Sequence, residues 1–287
     1  MKKLHILVLL GILAQTATAQ SSLLWQVSGN GLKKPSYLFG TYHILKDSYL
    51  NQNTKVKTAY ANAEGVVVEM VVDSSAMLKM AMRALMLTNS LPDLISETDY
   101  NLVAKEFEKA TGMDLGLFNQ VKPVVTSTML SLAYLEKESD TLKRFTGQPL
   151  DMYFATEGKK LGKTVTPLET MEEQITMLYD HDPVEKQARQ LVQMVKEKGS
   201  MRRVSQSLTD LYLKEDLSAM WKLSEQYGEQ YGDMSYLVDE RNHNWMKKLP
   251  NVMAIRPTFV AVGALHLPGP NGLIELLRKA GFTVEPL

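Results

Sequence analysis

Short β-prone runs near both ends of the sequence enclose a long middle segment with helical periodicity, and this arrangement constrains the fold most. Residues 23–27 and 36–39 are β-prone and are separated by turn-forming glycine, asparagine and proline, so they predict a hairpin. Residues 53–63 predict a helix, and Val66, Val67 and Val68 predict a buried strand directly after it.

The rest of the chain extends the same alternation. From residue 74 to about residue 250 the periodicity is mostly helical, with one short strand predicted at residues 164–168. Residues 257–262 then predict a strand, residues 272–279 a helix and residues 282–284 a last strand. Strands that alternate with helices favour a largely parallel sheet with helical cover. We therefore predict a mixed α/β fold: residues 20–287 form a single domain, its central sheet built from the N- and C-terminal segments, with a large helical lobe inserted at about residues 74–250.

The first nineteen residues resemble a secretory signal peptide. Lys2 and Lys3 form a basic start, an apolar run follows, and Ala17-Thr18-Ala19 is typical of a cleavage site. The apolar run is shorter than the roughly 20 residues that span a bilayer, and charges interrupt every later apolar segment. The sequence thus predicts an exported protein, periplasmic or secreted, without a membrane span.

Composition excludes several kinds of site. The chain has no cysteine, so it has no disulfide, no thiolate nucleophile and no sulfur ligand for a metal. Removal of Lys2 and Lys3 leaves 30 basic residues against 32 acidic ones, without a basic run. Nucleic acid and anionic membrane surfaces are therefore not the expected partners. With 45% apolar residues, the mature part of about 270 residues is long enough to bury a large core.

Four polar residues follow the predicted strands at the points where those strands end. They are His43, Glu69, Glu169 and His266. In open α/β sheets, ligands bind at the carboxyl edge, where helices and loops leave a crevice. These four side chains are therefore predicted to meet at one site, although Glu169 also fits the start of a helix, where acidic residues are favoured.

The two histidines belong to a repeated pattern, Gly40-Thr41-Tyr42-His43 and Gly263-Ala264-Leu265-His266. A glycine lets the backbone leave a strand sharply or approach a neighbour closely, so that a histidine three residues later can point back over the sheet. A single Gly-x-x-His is weak evidence, and each histidine alone fits a hydrogen-bonded turn. Two copies after comparable strands favour a functional site.

Imidazole and carboxylate groups together suit zinc, manganese, cobalt or iron, and a catalytic zinc site uses three protein ligands and keeps one position for water. His43, His266 and Glu69 form such a set. The metal lowers the pKa of its water towards about 7 and polarises a carbonyl, while a second carboxylate takes the proton. Glu69 and Glu169 are both candidates for that proton acceptor.

A cluster of methionines and one further histidine are interpreted as structural rather than functional residues. Met70, Met77, Met80, Met82 and Met86 cluster along one segment, where they can line a peptide groove, but core filling is the favoured interpretation. His243 follows Asn242, and adjacent helical residues point about 100 degrees apart. We therefore expect it to lie on a free helix face.

The sequence resembles the TraB/GumN family, which is related to the Tiki metalloproteases. The resemblance spreads over nearly all of the mature chain. It rests on Leu24-Trp25, Tyr37-Leu38-Phe39-Gly40-Thr41-Tyr42-His43, Val66-Val67-Val68-Glu69, Lys122-Pro123, Leu150-Asp151, Gly162-Lys163, Leu168-Glu169-Thr170-Met171-Glu172-Glu173-Gln174, Asp239-Glu240-Arg241-Asn242 with Trp245, and Val260-Ala261-Val262-Gly263-Ala264-Leu265-His266 with Gly269, Gly272 and Leu276-Leu277.

The resemblance implies a sheet that carries the paired motifs and a metal-dependent peptidase activity. It also implies that His43, Glu69 and His266 contribute to the metal or catalytic centre and that Arg241 and Asn242 reach it from a helix. Arginine can stabilise an oxyanion or a substrate carboxylate, and asparagine can orient the attacking water.

Two functions remain in view at this point. The first is a metal-dependent hydrolase, a peptidase acting on exported peptides or proteins with a divalent Mn, Co, Zn or Fe ion. The second is a non-catalytic protein of the same fold that binds haem, a metal ion or a peptide. Haem is a candidate ligand because the family fold is also similar to that of erythromycin esterases and the haem-binding ChaN-like proteins. An axial haem ligand needs only an imidazole.

Overall fold

The computed structural model describes residues 22–71, 74–138, 140–231 and 235–287. Six strands form one sheet: β1 (Leu24–Gly29), β2 (Ser36–Thr41), β3 (Gly65–Val68), β4 (Thr164–Pro167), β5 (Thr258–Gly263) and β6 (Phe282–Pro286). The helices are α1 (Thr54–Asn62), α2 (Ser74–Arg83), α3 (Leu91–Leu94), α4 (Glu97–Thr111), α5 (Pro123–Glu138), α6 (Asp140–Lys143), α7 (Leu150–Lys160), α8 (Met171–Asp180), α9 (Val184–Lys196), α10 (Lys198–Leu213), α11 (Leu217–Tyr231), α12 (Ser235–Met246), α13 (Leu249–Ile255) and α14 (Leu273–Lys279). Short 3-10 helices lie at Asp47–Gln52, Leu115–Phe118 and Ala264–His266.

The sheet has the strand order β4-β3-β5-β2-β1-β6. Strands β4, β3, β5 and β2 are mutually parallel, while β1 is antiparallel to both β2 and β6. Strands β2, β3 and β5 are buried along their whole length, as apolar β-branched runs in a covered parallel sheet should be. Because four neighbouring strands point the same way, their carboxyl ends share one edge.

Two hydrophobic clusters stabilise the described residues. The larger one surrounds the sheet and includes Trp25, Phe39, Phe154 and Phe259, with α7 packed against β3, β4 and β5. The smaller one lies within the helical middle of the chain, among α3, α4, α5 and α9, and is centred on Phe107 and Leu191. The middle segment thus has a core of its own and also supplies one strand and one covering helix to the sheet.

The predicted fold class is confirmed. The terminal segments supply five of the six strands, and the strand expected at residues 164–168 is β4. The predicted signal peptide lies outside the described residues. Within them, no helix is long and apolar enough to cross a membrane.

The prediction that the clustered methionines fill the core is correct for Met86, which is 6% exposed. It is wrong for Met77 and Met82, which are 53% and 65% exposed, because α2 packs on α8 through only part of its surface.

Gly40 explains why a glycine opens the first Gly-x-x-His segment. Its φ angle is not positive, so the reason is space rather than conformation. A Cβ atom at this position would lie 2.9 Å from the Ala264 Cα and 3.2 Å from a Leu267 methyl. The turn after β5 therefore packs directly onto the β2 backbone, and a side chain would push the two segments apart.

We predict that Gly40→Ala lowers the free energy of unfolding by about 1–3 kcal/mol, because the new methyl overpacks against backbone. Gly228→Ala is the matched control, since no atom lies within 4 Å of the added Cβ. In a helix interior this change should stabilise by roughly 0.5–1 kcal/mol. Urea unfolding of both variants measures the difference, and equal effects would contradict the close-packing explanation.

Candidate active site

All four predicted strand-end residues lie at the carboxyl edge of the parallel strands. His43 follows β2, Glu69 follows β3, Glu169 follows β4 and His266 ends the 3-10 turn after β5. Helix α12 brings Arg241 to the same edge, where its guanidinium group contacts Glu69, Glu169 and His266. The structure therefore brings together residues that are more than two hundred positions apart in sequence.

Gly263 lies at the centre of this arrangement. Its N–H donates a hydrogen bond of 2.7 Å to Glu69 Oε1. A Cβ on Gly263 would lie 3.3 Å from Glu69 Oε1, 3.5 Å from His266 Cδ2 and 3.6 Å from His43 Nε2. Three side chains thus converge above Gly263, and a methyl group there would lie in contact with all three and occupy the space between them.

Arg241 holds the two glutamates of the site in place. Its Nη2 donates to Glu69 Oε2 at 2.5 Å and also to Glu169 Oε1, while its Nε donates to Glu169 Oε2 at 3.1 Å. Glu69, Glu169 and Arg241 are all largely buried. One guanidinium group therefore compensates two carboxylates that would otherwise be costly to remove from water.

Asn242 lies behind His266 and fixes its ring. The Asn242 Nδ2 donates to the carbonyl oxygens of His266 and Asn271 at 3.1 and 2.8 Å, so its Oδ1 faces the imidazole. The His266 Nδ1 lies 2.8 Å from that oxygen and must therefore carry a proton. The lone pair of His266 is thus on Nε2, which accepts a hydrogen bond of 3.1 Å from Arg241 Nη1.

This geometry changes the role expected for Asn242. The side chain is fully buried and does not line the cavity described below. Its amide group is hydrogen bonded to His266 and Asn271. It is therefore not placed to orient an attacking water. Its contacts instead position the ring of His266.

His43 is held in an equivalent way from another helix. Its Nδ1 lies 2.8 Å from the Asp151 Oδ2, and Thr41 donates to the other oxygen of the same carboxylate. Asp151 lies in the first turn of α7. The His43 side chain is 68% exposed, and its Nε2 faces Glu69 and Gly263. Both histidines thus have Nδ1 bound to an oxygen and Nε2 directed to the common centre.

The charges of the site follow from these contacts. Burial alone would raise the pKa of Glu69, but the fields of His266, Arg241 and His43 together with the Gly263 N–H lower it to about 2. Burial lowers the pKa of His266 to about 3, and the neighbouring Arg241 acts in the same direction. The hydrogen bond that the His43 ring donates to the Asp151 carboxylate raises the pKa of His43 to about 9. At neutral pH Glu69 is therefore ionised and His266 is neutral.

Glu169 belongs to the polar network and does not start a helix. Thr170 is the N-cap of α8, so Glu169 precedes the helix. Its carboxylate accepts from Arg241, from Gln174 at 3.0 Å and from Trp245 Nε1 at 3.2 Å. It does not line the main cavity. Both oxygens of Glu169 are thus engaged, and the residue lines a separate cavity, which makes it a poor candidate for the proton acceptor.

A cavity of about 900 Å³ opens above the site. His43, Glu69, Arg241 and His266 lie at its polar end. The rest of the lining is mostly apolar, with methionine, leucine, valine and alanine side chains from several helices: Met70, Val71, Met152, Ala155, Met177, Leu178, Leu208, Met220, Leu237 and Val238. A concave apolar pocket with a few convergent polar groups is the usual form of a ligand site.

The donor set fits a divalent transition metal in its chemistry. A histidine that binds a metal normally donates its other ring N–H to an oxygen, as His43 and His266 can do to Asp151 and Asn242. The His266 Nε2 lies 3.9 Å from Glu69 Oε1, which is close to the spacing of two ligands on one metal, and a metal bound there would have to displace the hydrogen bond that Nε2 accepts from Arg241. Within the described residues, however, no three His, Asp or Glu side chains already form a metal-binding group.

Sequence reasoning gave no role to two residues that shape the site. Asp151 orients His43, and Trp245 packs on His266 with ring centroids 4.3 Å apart and lies beneath the Arg241 guanidinium at 4.7 Å. Both residues could have been singled out from the sequence, because each lies in a segment that resembles the family. His243 is exposed, as expected for a free helix face.

The fold and the site together define a class: α/β proteins in which two Gly-x-x-His segments and a helical arginine meet at the carboxyl edge of a sheet. Residues 23–286 match the profile of the TraB/PrgY/gumN family. The match covers nearly the whole chain, and the protein belongs to this family. Comparisons with curated proteins and with solved structures give no match.

We predict that Arg241→Met lowers the free energy of unfolding by about 3–5 kcal/mol, because it leaves two buried carboxylates without a counter-charge. Neutralising those carboxylates in the same chain, with Glu69→Gln and Glu169→Gln, should recover much of the loss. Lys143→Met removes an exposed ion pair with Asp140 and should change stability little. Urea unfolding separates these cases. A loss that persists in the triple variant would contradict the charge argument.

We further predict an acid-side loss of stability that depends on His266. Unfolded His266 takes up a proton below its ordinary pKa of 6.5, whereas the folded side chain stays neutral down to about pH 3. Stability from this residue is therefore present above pH 6.5 and declines as pH falls through this window, by roughly 1.5 kcal/mol between pH 6.5 and 5. Urea unfolding of metal-free wild type and His266→Gln from pH 7.5 to 5 tests this. Parallel curves would contradict it.

Proposed function

We propose that the protein is a metal-dependent hydrolase that cleaves peptide bonds in exported peptides or proteins. The observation that carries the proposal is the matched pair of histidines, each with Nδ1 fixed by an oxygen and Nε2 directed at Glu69 above Gly263. His43, His266 and Glu69 are the proposed ligands for Mn, Co, Zn or Fe. Such an ion polarises a carbonyl and makes water more acidic.

The remaining chemistry falls to the side chains of the site. Glu69 stays ionised at neutral pH, and its Oε1 lies 3.9 Å from His266 Nε2, so it is proposed to bind the metal through one oxygen and to take the proton from the attacking water on the other. Arg241 lines the cavity, and its N–H groups are taken by Glu69, Glu169, His266 and the Leu237 carbonyl, so it is proposed to stabilise negative charge on the carbonyl oxygen through its own positive charge alone. Glu169 and Trp245 hold the guanidinium group in position. Asp151 and Asn242 set the ring orientations of the two histidines.

A peptide substrate is supported by the shape of the cavity. The opening is large, partly apolar and accessible from solvent, so it can take several side chains of a flexible chain. Adaptable methionines on its walls suit substrates of varied sequence. The signal-like first nineteen residues support a periplasmic or secreted substrate.

The proposal predicts that purified protein binds one divalent ion and cleaves unstructured peptides, and that EDTA removes cleavage. His43→Ala and His266→Ala should each lower metal occupancy and reduce kcat/KM by about 100-fold or more, because losing a residue that merely supports a metal ligand already costs about 10–100-fold. His243→Ala is the matched control, since His243 is an exposed histidine next to the site residues on α12.

Metal analysis and fluorogenic peptide assays measure both properties. Unchanged metal content and unchanged cleavage in the two ligand variants would exclude the proposal.

The apolar cavity also supports a second candidate, a protein that binds haem or a peptide without turnover. Haem added to the purified protein would then give a Soret band that His43→Ala or His266→Ala abolishes. An unchanged spectrum with no saturable binding would exclude this candidate for haem.

A further inference from the structure

One face of α7 forms a wall of the cavity. The lining residues of this helix are Met152, Ala155, Thr156, Lys159 and Lys160. Their spacing places them on a single stripe of the helix. Asp151 precedes this stripe and holds His43, so the stripe begins at the reactive centre. The cavity is therefore extended along α7 rather than confined to the histidines.

Helix α8 forms a second wall with the same regularity. Gln174, Met177 and Leu178 line the cavity at helical spacing. Gln174 also hydrogen bonds to Glu169, which ties this wall to the site. Met152 and Leu178 are 51% and 41% exposed, as expected of side chains that border an open groove. We call the space between these two faces the α7–α8 groove.

The length and charge of the groove limit what it can hold. Met152 and Lys160 are eight positions apart, which is about 12 Å along a helix. An extended peptide covers this distance with about four residues. The first part of the groove is apolar, and the exposed Lys159 and Lys160 stand at its far end, where Lys160 also pairs with Glu157 at 3.4 Å. A peptide with apolar side chains followed by a negatively charged residue would therefore complement this surface.

We propose that the α7–α8 groove is a substrate subsite that binds an extended peptide segment with apolar side chains near the scissile bond and an acidic residue about four positions away. This assignment rests on the proposed peptidase function, because it treats the polar end of the cavity as the place of cleavage. Lys159 and Lys160 determine the preference for the acidic residue, and the apolar stripe determines the preference for the residues between.

The test measures binding without turnover. Fluorescein-labelled peptides with four apolar residues flanked by either glutamates or lysines are titrated, in EDTA and low salt, with wild type and with K159E/K160E. We expect the charge reversal to weaken the glutamate peptide about three- to tenfold and to strengthen the lysine peptide, and added salt to reduce both effects. K55E/K57E, with the same charge change on the exposed face of α1, should leave both affinities unchanged.

A second variant, Thr156→Trp, fills the middle of the groove and should weaken both peptides while leaving the thermal unfolding temperature near that of wild type. Charge-dependent binding without metal-dependent cleavage would support the groove and exclude the peptidase function. Metal-dependent cleavage, together with equal affinities for the two peptides in wild type and in K159E/K160E, would exclude the groove and keep the function. Lysine-dependent binding of dodecanoate, without binding of either peptide, would overturn the peptide assignment.

Discussion

The ion pairs of Arg241 with Glu69 and Glu169 are the interaction on which the site depends. Without the guanidinium group, two carboxylates at the sheet edge would be buried without compensation, and at least one would have to take up a proton. With it, Glu69 remains ionised beside two histidines, and its second oxygen stays fixed on the Gly263 N–H. A helix from the middle of the chain therefore sets the charge of residues that follow β3 and β4.

The positions of the histidines depend on close backbone packing as much as on charge. Gly40 allows the turn after β5 to lie on β2, and Gly263 leaves space for His43, Glu69 and His266 to approach one point. The two glycines have the same place in the sequence motif but different neighbours in the structure. At Gly40 a side chain would clash with backbone, whereas at Gly263 it would only come into contact with the three side chains of the site.

Much of the fold could be predicted from the sequence because the strands are short apolar runs bounded by glycine, proline or charge. The common edge of His43, Glu69, Glu169 and His266 followed from the expectation of parallel strands. The position of Glu169 behind Arg241 could not be predicted, because an acidic residue before a helix fits a cap as well as an ion pair. The roles of Asp151 and Asn242 were also hidden, since hydrogen bonds between distant helices and turns leave no periodic signal. The exposure of Met77 and Met82 was not predicted, because a cluster of methionines in the sequence does not show which face of the helix is buried.

The pairing of β2 with β5 has a consequence for the order of folding. Tyr37 is aligned with Phe259, so the central strand of the sheet comes from the last thirty or so residues of the chain. Contacts between residues so distant in sequence form slowly, because a long loop must close before they contribute. A chain that has not yet formed β5 therefore contains His43, Glu69 and Arg241 but lacks the Gly263 N–H and His266. The site can assemble only after β5 and the turn that carries His266 have been made.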